Sequence, residues 1–191
     1  MNKNLSETIV LMGCKSCGKS THGFEIAKYY DVPFYDIDDV ISQMSGMFPR
    51  NLYTKKGEGA FMMAEEAACQ KVLDENKDKA IVISTGGGIC DNPPALTVLR
   101  GNSCRFVFLN VEVKNSIERI MSKVTTNEFG ILQNLPAYIA KKEPKNAAEA
   151  EKFLTERFED RNRKYASIAD VIVRLKKASK EENLKFILEA L

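Results

Sequence analysis

The nine residues GCKSCGKST, 13–21, follow directly on the apolar run TIVLM and limit what this chain can become more than any other stretch. The run at 8–12 reads as a buried strand. Gly13 then permits a sharp turn, and Gly18 lets backbone approach a ligand with no Cβ in the way. From Lys19 to Tyr30 the pattern predicts a helix, with Phe24, Ala27 and Tyr30 at helical spacing. A strand, a glycine-bounded loop and a helix in this order aim backbone N–H groups and a positive helix end at one anion. In the spacing Gly13-x-x-x-x-Gly18-Lys19-Ser20, Lys19 is expected to reach β- and γ-phosphates and Ser20 to sit on Mg²⁺. Cys14, Lys15, Ser16 and Cys17 supply the wrapping backbone, and Thr21 is expected to bond near the α-phosphate.

The same loop contains Cys14-x-x-Cys17. A zinc site needs further ligands, and the sequence has no second C-x-x-C and no H-x₃-H. The one histidine, His22, is expected to be a partly exposed helix residue. What remains is a secondary expectation, that thiols at a helix N-terminus have a lowered pKa and are open to oxidation. Five cysteines at irregular spacing do not make a disulfide framework.

Charge and hydropathy exclude several classes. With 28 Lys+Arg against 26 Asp+Glu the net charge is +2, which gives no general attraction to nucleic acid or membrane surfaces. The apolar run near the N-terminus is too short for a secretory leader, and no stretch approaches the roughly 18 apolar residues of a membrane helix. A cytoplasmic protein acting on a small-molecule substrate is expected; protein partners stay open.

Further strands are expected at 33–36, 80–84, 105–111 and 171–173, and helices at about 58–73, 148–166 and 181–191. Short apolar strands alternating with helices predict an α/β fold, one domain over 1–191 with a parallel sheet flanked by helices. The polar segment at about 122–150, with Gly130, Pro136 and Pro144, breaks this rhythm and reads as a lid. Asp36-x-Asp38-Asp39 follows the second strand and Gly86-Gly87-Gly88 the third, so both fall on the sheet edge that carries the phosphate loop. The acidic pair is suited to hold Mg²⁺ through water and orient a hydroxyl. The glycines allow a small ligand to touch backbone N–H groups. The plainer alternatives are a helix N-cap at Asp38 or Asp39 and a flexible glycine turn.

Together with FYDIDD (34–39), GEGAFMMAEE (57–66), STGGG (84–88) and RNRKY (161–165), the phosphate loop resembles the shikimate kinase family over most of the chain. The resemblance implies a small P-loop kinase that moves the γ-phosphate of ATP to a shikimate hydroxyl with Mg²⁺. By matching positions, Lys19 and Ser20 serve ATP and Mg²⁺, and Asp36 holds the Mg²⁺ shell. Asp38 contacts the acceptor hydroxyls and takes up the proton, while Gly86, Gly87 and Gly88 line the acceptor. Arg119 stacks near adenine, and Arg161 grips the substrate carboxylate. The loop near Lys176–Lys180 lacks the proline usual opposite that arginine.

Two departures stand out. Where the family carries a carboxylate-binding arginine after the phenylalanine of GE-x-x-F, this chain has Met62 after Phe61. Where its lid carries Arg-Pro-Leu, this chain has Asn134-Leu135-Pro136, leaving Lys123, Lys141 and Lys142 as lid cations and Arg50 as a further compensating one. A lysine is a point charge rather than a planar fork. The departures keep three alternatives open: a kinase of a related, less charged hydroxylated metabolite, a nucleoside monophosphate kinase using Arg119, Arg157, Arg161 and Arg163, and a catalytically silent ATP-binding module.

Overall fold

A computed structural model describes residues 5–191. Residues 1–4, part of the stretch read above for a leader, lie outside it. Five parallel strands form the sheet: β1 (Ile9–Met12), β2 (Phe34–Asp36), β3 (Val82–Ser84), β4 (Arg105–Asn110) and, last in the chain, β7 (Val171–Arg174), in the order β2-β3-β1-β4-β7. All four β1 residues are buried, as the continuous apolar run requires of a central strand covered on both faces. Leu11 and Asp36 both pair with Ser84, and the phosphate loop leaves β1 where β3 and β4 flank it on opposite sides.

Helix α1 (Lys19–Tyr30) follows the loop as predicted, but its inner face is His22, Gly23, Ile26 and Ala27. Phe24 is 56% exposed, one position off that face, and His22 is 6% exposed rather than partly open. Gly23 makes the close packing feasible, since a Cβ there would lie 2.5 Å from the Phe34 ring.

Outside the 122–146 segment, four helices join those expected: α2 (Ile37–Ser45), α3 (Pro49–Lys56), α5 (Pro93–Gly101) and α6 (Val113–Met121). The predicted helix near 58–73 is α4 (Glu58–Glu75). Helix α2 is capped by Asp36, whose Oδ1 accepts from the Asp38 N–H at 3.0 Å, so the cap is neither Asp38 nor Asp39. The long helix α8 (Ala147–Ile168) starts at the Asn146 cap, and α9 (Lys180–Ala190) begins with a capping box on Ser179 and Glu182.

The segment read as an irregular lid has structure. A hairpin of β5 (Thr125–Thr126) and β6 (Leu132–Gln133) leads to the short α7 (Ala137–Ala140), and 147–150 already belong to α8. Buried Leu135 and Ile139 pin this excursion to the core, while Phe129 and Ile131 stay exposed at the hairpin tip. None of the described helices is long and apolar enough to cross a membrane.

Candidate active site

The phosphate loop turns through three residues in conformations that favour glycine. Gly13 (φ 147°), Ser16 (φ 67°) and Gly18 (φ 101°) all have positive φ. A side chain on Gly13 would meet Cys17 Sγ at 2.8 Å and the Leu109 carbonyl oxygen at 2.9 Å. Lys19 is buried, its Nζ donating to the carbonyls of Gly13 at 2.9 Å and Cys14 at 3.1 Å. Ser20 Oγ donates to Asp36 Oδ2 at 2.5 Å, and Asp36 Oδ1 is the one that caps α2. Hydroxyl and carboxylate thus stand together at the loop's end, the pairing of hard oxygen donors that suits Mg²⁺.

Cys14 and Cys17 are structural here. Cys14 Sγ points at Asn162 Oδ1, 3.3 Å away on α8, and burial pushes its thiol up to about 12. That corrects the expectation of a lowered pKa: the sulfur is sealed between loop and helix, and desolvation outweighs the cations beside it. Among the described residues no cluster of three or more His, Cys, Asp or Glu side chains is arranged to hold a metal ion.

A cleft of about 400 Å³ opens from the phosphate loop between α2, α3, α4, the glycine turn and the lid. It brings together Lys15, Lys19, Ser20, Asp36, Asp38, Met62, the three glycines 86–88 and Arg161, as the sequence predicted. Asp38, in the first turn of α2, has its pKa raised by burial and by Asp36, against the pull of Lys19 and Lys15. Gly87 packs on the phosphate loop so closely that a Cβ would meet the Lys15 backbone nitrogen at 2.8 Å. Desolvation in the cleft lowers the Lys15 pKa against the pull of Asp38, and Lys19, Lys123 and Arg50 lower it further. Arg50 and Lys123 therefore join Lys15 and Lys19 around the phosphate side. Lys141 and Lys142 do not line the cleft; Lys142 Nζ lies 4.5 Å above the Phe153 ring instead.

Arg161 enters from α8 and is almost fully buried. Its Nε donates to Asp91 Oδ2 at 2.9 Å, its Nη1 to the Gly87 carbonyl at 2.9 Å, and its guanidinium lies 4.8 Å from the Tyr138 ring centroid. A side chain on Gly88 would meet Nη2 at 2.8 Å, so the glycine turn is shaped around this arginine. Arg119 lies in the last turn of α6, its Nη1 donating to the Ser16 carbonyl at 2.9 Å. A second cavity of about 590 Å³ lies between α6 and the turn after β7, lined by Asn110, Glu118, Arg174 and Lys176 among others.

Sequence reasoning assigned no role to Glu65. It sits on α4 in the buried stripe with Ala68, Cys69 and Val72 and is 1% exposed. Asn92 Nδ2 donates to its Oε2 at 2.9 Å, while Oε1 has no partner among the described residues and would lie 2.7 Å from a Cβ on Gly86. A carboxylate on the apolar stripe of an amphipathic helix was the available signal. Burial pushes its pKa from 4.5 to about 7. The folded state therefore holds a proton the unfolded chain releases. This stabilisation, about 3 kcal/mol, is fully present below pH 4.5 and is lost as pH rises through about 7. We expect Glu65→Gln to flatten the decline of Tm between pH 5 and 8; a slope equal to the parent's would show that Glu65 is not the group titrating.

Residues 15–191 match the family model described as shikimate kinase. The shikimate kinase of Aquifex aeolicus (strain VF5) is 32% identical over 111 residues, 58% of this chain and 64% of that protein. That of Desulforudis audaxviator is 33% identical over 92 residues, 48% and 47% of the two chains. These alignments span less than two thirds of the relatives' lengths. The solved structure of the Aquifex aeolicus vf5 shikimate kinase superposes with a TM-score of 0.68 at 27% identity, covering 95% of this chain and 94% of that one. An Acinetobacter baumannii shikimate kinase in complex with shikimate gives a TM-score of 0.77 at 22% identity, covering 96% and 91%, a likeness of fold. With a phosphate loop, an acidic pair and a glycine turn on one sheet edge, and a family model matched from residue 15 to the last, the chain belongs to the shikimate kinase family.

Proposed function

We infer that this protein transfers the γ-phosphate of ATP to a hydroxyl of shikimate. The observation that carries the reading is the single cleft lined by the phosphate-loop lysine, the half-buried Asp38 carboxylate, a buried arginine and the glycine turn. Lys19 and the loop N–H groups bind and orient the phosphates. Ser20 and Asp36 are suited to hold Mg²⁺, which when bound neutralises charge building on the phosphoryl oxygens. Asp38 receives the acceptor's proton, the residual role its raised pKa favours. Gly86, Gly87 and Gly88 offer close backbone contact, and Arg161, with Nη2 beside Gly88, grips an anionic group on the acceptor. Arg50, Lys15 and Lys123 supply cations where Asn134 cannot. Arg119 and the cavity lined by Glu118 take the base. The 122–146 excursion acts as the lid that excludes water over one catalytic domain.

The nucleoside monophosphate kinase reading loses support because Arg161 is turned to the glycine turn and Arg163 pairs with Asp160 on an exposed face. The test is ADP release from Mg-ATP, with shikimate and, in parallel, with gluconate. Shikimate-dependent release is expected. Response to the other polyol alone would move the acceptor, and bound ATP with no release in either arm would make the chain a silent module.

A further inference from the structure

Met62 lines the cleft but brings no charge to its acceptor end. The neighbouring helix holds more cation than its surroundings neutralise. On α8, Arg157 lies one turn before Arg161 and shares its face. Arg157 Nη2 stands 3.0 Å from Asp91 Oδ2, the same oxygen that accepts from Arg161 Nε at 2.9 Å, while Lys164 Nζ is 2.7 Å from Asp91 Oδ1. Three cations thus meet one carboxylate. Burial raises the Asp91 pKa, yet Lys164 and Arg161 outweigh it and hold the carboxyl below its ordinary range, so Asp91 is ionised. Lys164 Nζ also pairs with Asp160 Oδ2 at 2.9 Å, and the cluster keeps one positive charge in excess. Arg157 also acts electrically on Tyr53 and Tyr138, and both tyrosines line the cleft with Asp91 and Arg161. Apart from Asp91, Arg157 has no hydrogen-bonding or ion-pair partner among the described residues.

We propose that Arg157 is the second cation of the acceptor-carboxylate site, supplying from α8 the guanidinium that Met62 does not supply from α4, with Asp91 as the shared anchor of Arg157 and Arg161. This rests on the shikimate reading above. Asp91 fixes the spacing of the two guanidiniums by holding both against one oxygen, and Tyr53 and Tyr138 line the cleft beside it. Nε and one Nη1 N–H of Arg161 are engaged, which leaves the second Nη1 N–H and Nη2 for a ligand, and a neighbouring guanidinium adds further donors and a second charge for a carboxylate.

The test compares steady-state kinetics of the parent, Arg157→Ala, Arg157→Lys and the double variant Met62→Arg/Arg157→Ala, each checked for Tm. Arg157→Ala is expected to raise the KM for shikimate about 10- to 30-fold, with kcat within about threefold and the KM for ATP unchanged. Arg157→Lys should fall between, and Met62→Arg should restore most of the loss in the double variant. A shikimate KM within twofold of the parent's in Arg157→Ala overturns the assignment and leaves the acceptor reading standing. Equal losses in kcat and both KM values, with a lowered Tm that Arg157→Lys repairs in full, would also overturn it, in favour of a structural ion pair. A parent enzyme that releases no ADP with shikimate removes the acceptor reading and this inference with it.

Discussion

Lys19→Ala is expected to lower shikimate-dependent ADP release by at least about 10³-fold, the scale on which cations at a transferring phosphoryl group act. The reasoning is geometric. Lys19 is the buried cation at the mouth of the loop, fixed by two carbonyls and with Cys17 Sγ 3.7 Å from its ammonium. Its removal frees the Gly13 and Cys14 carbonyls it holds, while the turns at Gly13 and Gly18 rest on glycine backbone conformations. Lys15, in the same loop, and Arg50 and Lys123 line the cleft with Lys19 but do not occupy its place between the Gly13 and Cys14 carbonyls. Circular dichroism and Tm are therefore expected to change little while turnover collapses. Residual activity within tenfold of the parent would mean that another cation carries the phosphates, with Lys15 the first to replace.

Asp38→Asn addresses the other side of the transfer and is expected to lower kcat by about 10²–10⁴-fold, the range for loss of a positioned base. Asp38 is raised above its ordinary pKa by burial and Asp36, so parent activity should climb with pH through that elevated value and then level off. The asparagine variant should lose this limb of the profile. Stability gives a second reading. An aspartate with raised pKa opposes folding once ionised, so the neutral amide should leave Tm at pH 7 equal or slightly higher. Unchanged kcat with a lost pH limb cannot both occur if Asp38 is the base; an unchanged pH profile would reassign the base, with Glu65 next in the same cleft.

Much of this site could be read before any coordinates, for an identifiable reason. The phosphate loop, the acidic pair and the glycine turn each follow a strand in sequence, and parallel pairing sends all three to one edge. What stayed hidden depends on side-chain direction and burial. Helix α5 went unread although Asn92 and two prolines supply a cap and first-turn signal, and α2 begins directly on Asp36, at the end of β2, and so reads as loop. The lid looked irregular because its two anchors, Leu135 and Ile139, are isolated apolar residues among polar ones. Spacing also could not say which lid cation turns inward: Lys123 does and Lys142 does not. Glu65 was visible only as a charge on a helix, Arg157 only as one of four arginines of the nucleotide-kinase alternative, and packing gave both their partners.

The pairing of Asp36 with Ser84 and of Ser84 with Leu11 makes the sheet a ruler for the site. One rung carries Asp36, and a residue or two further along the neighbouring strands the phosphate loop and the glycine turn begin. Because strand side chains alternate, one residue inserted in β2 or β3 would send Asp36 or the turn to the opposite face, and no adjustment of a rotamer could recover it. The hairpin at 125–133 carries no such constraint, since its tip touches solvent. Over evolutionary time the two regions should therefore accept changes in chain length very unequally: none within the strands, and free gain or loss in the lid.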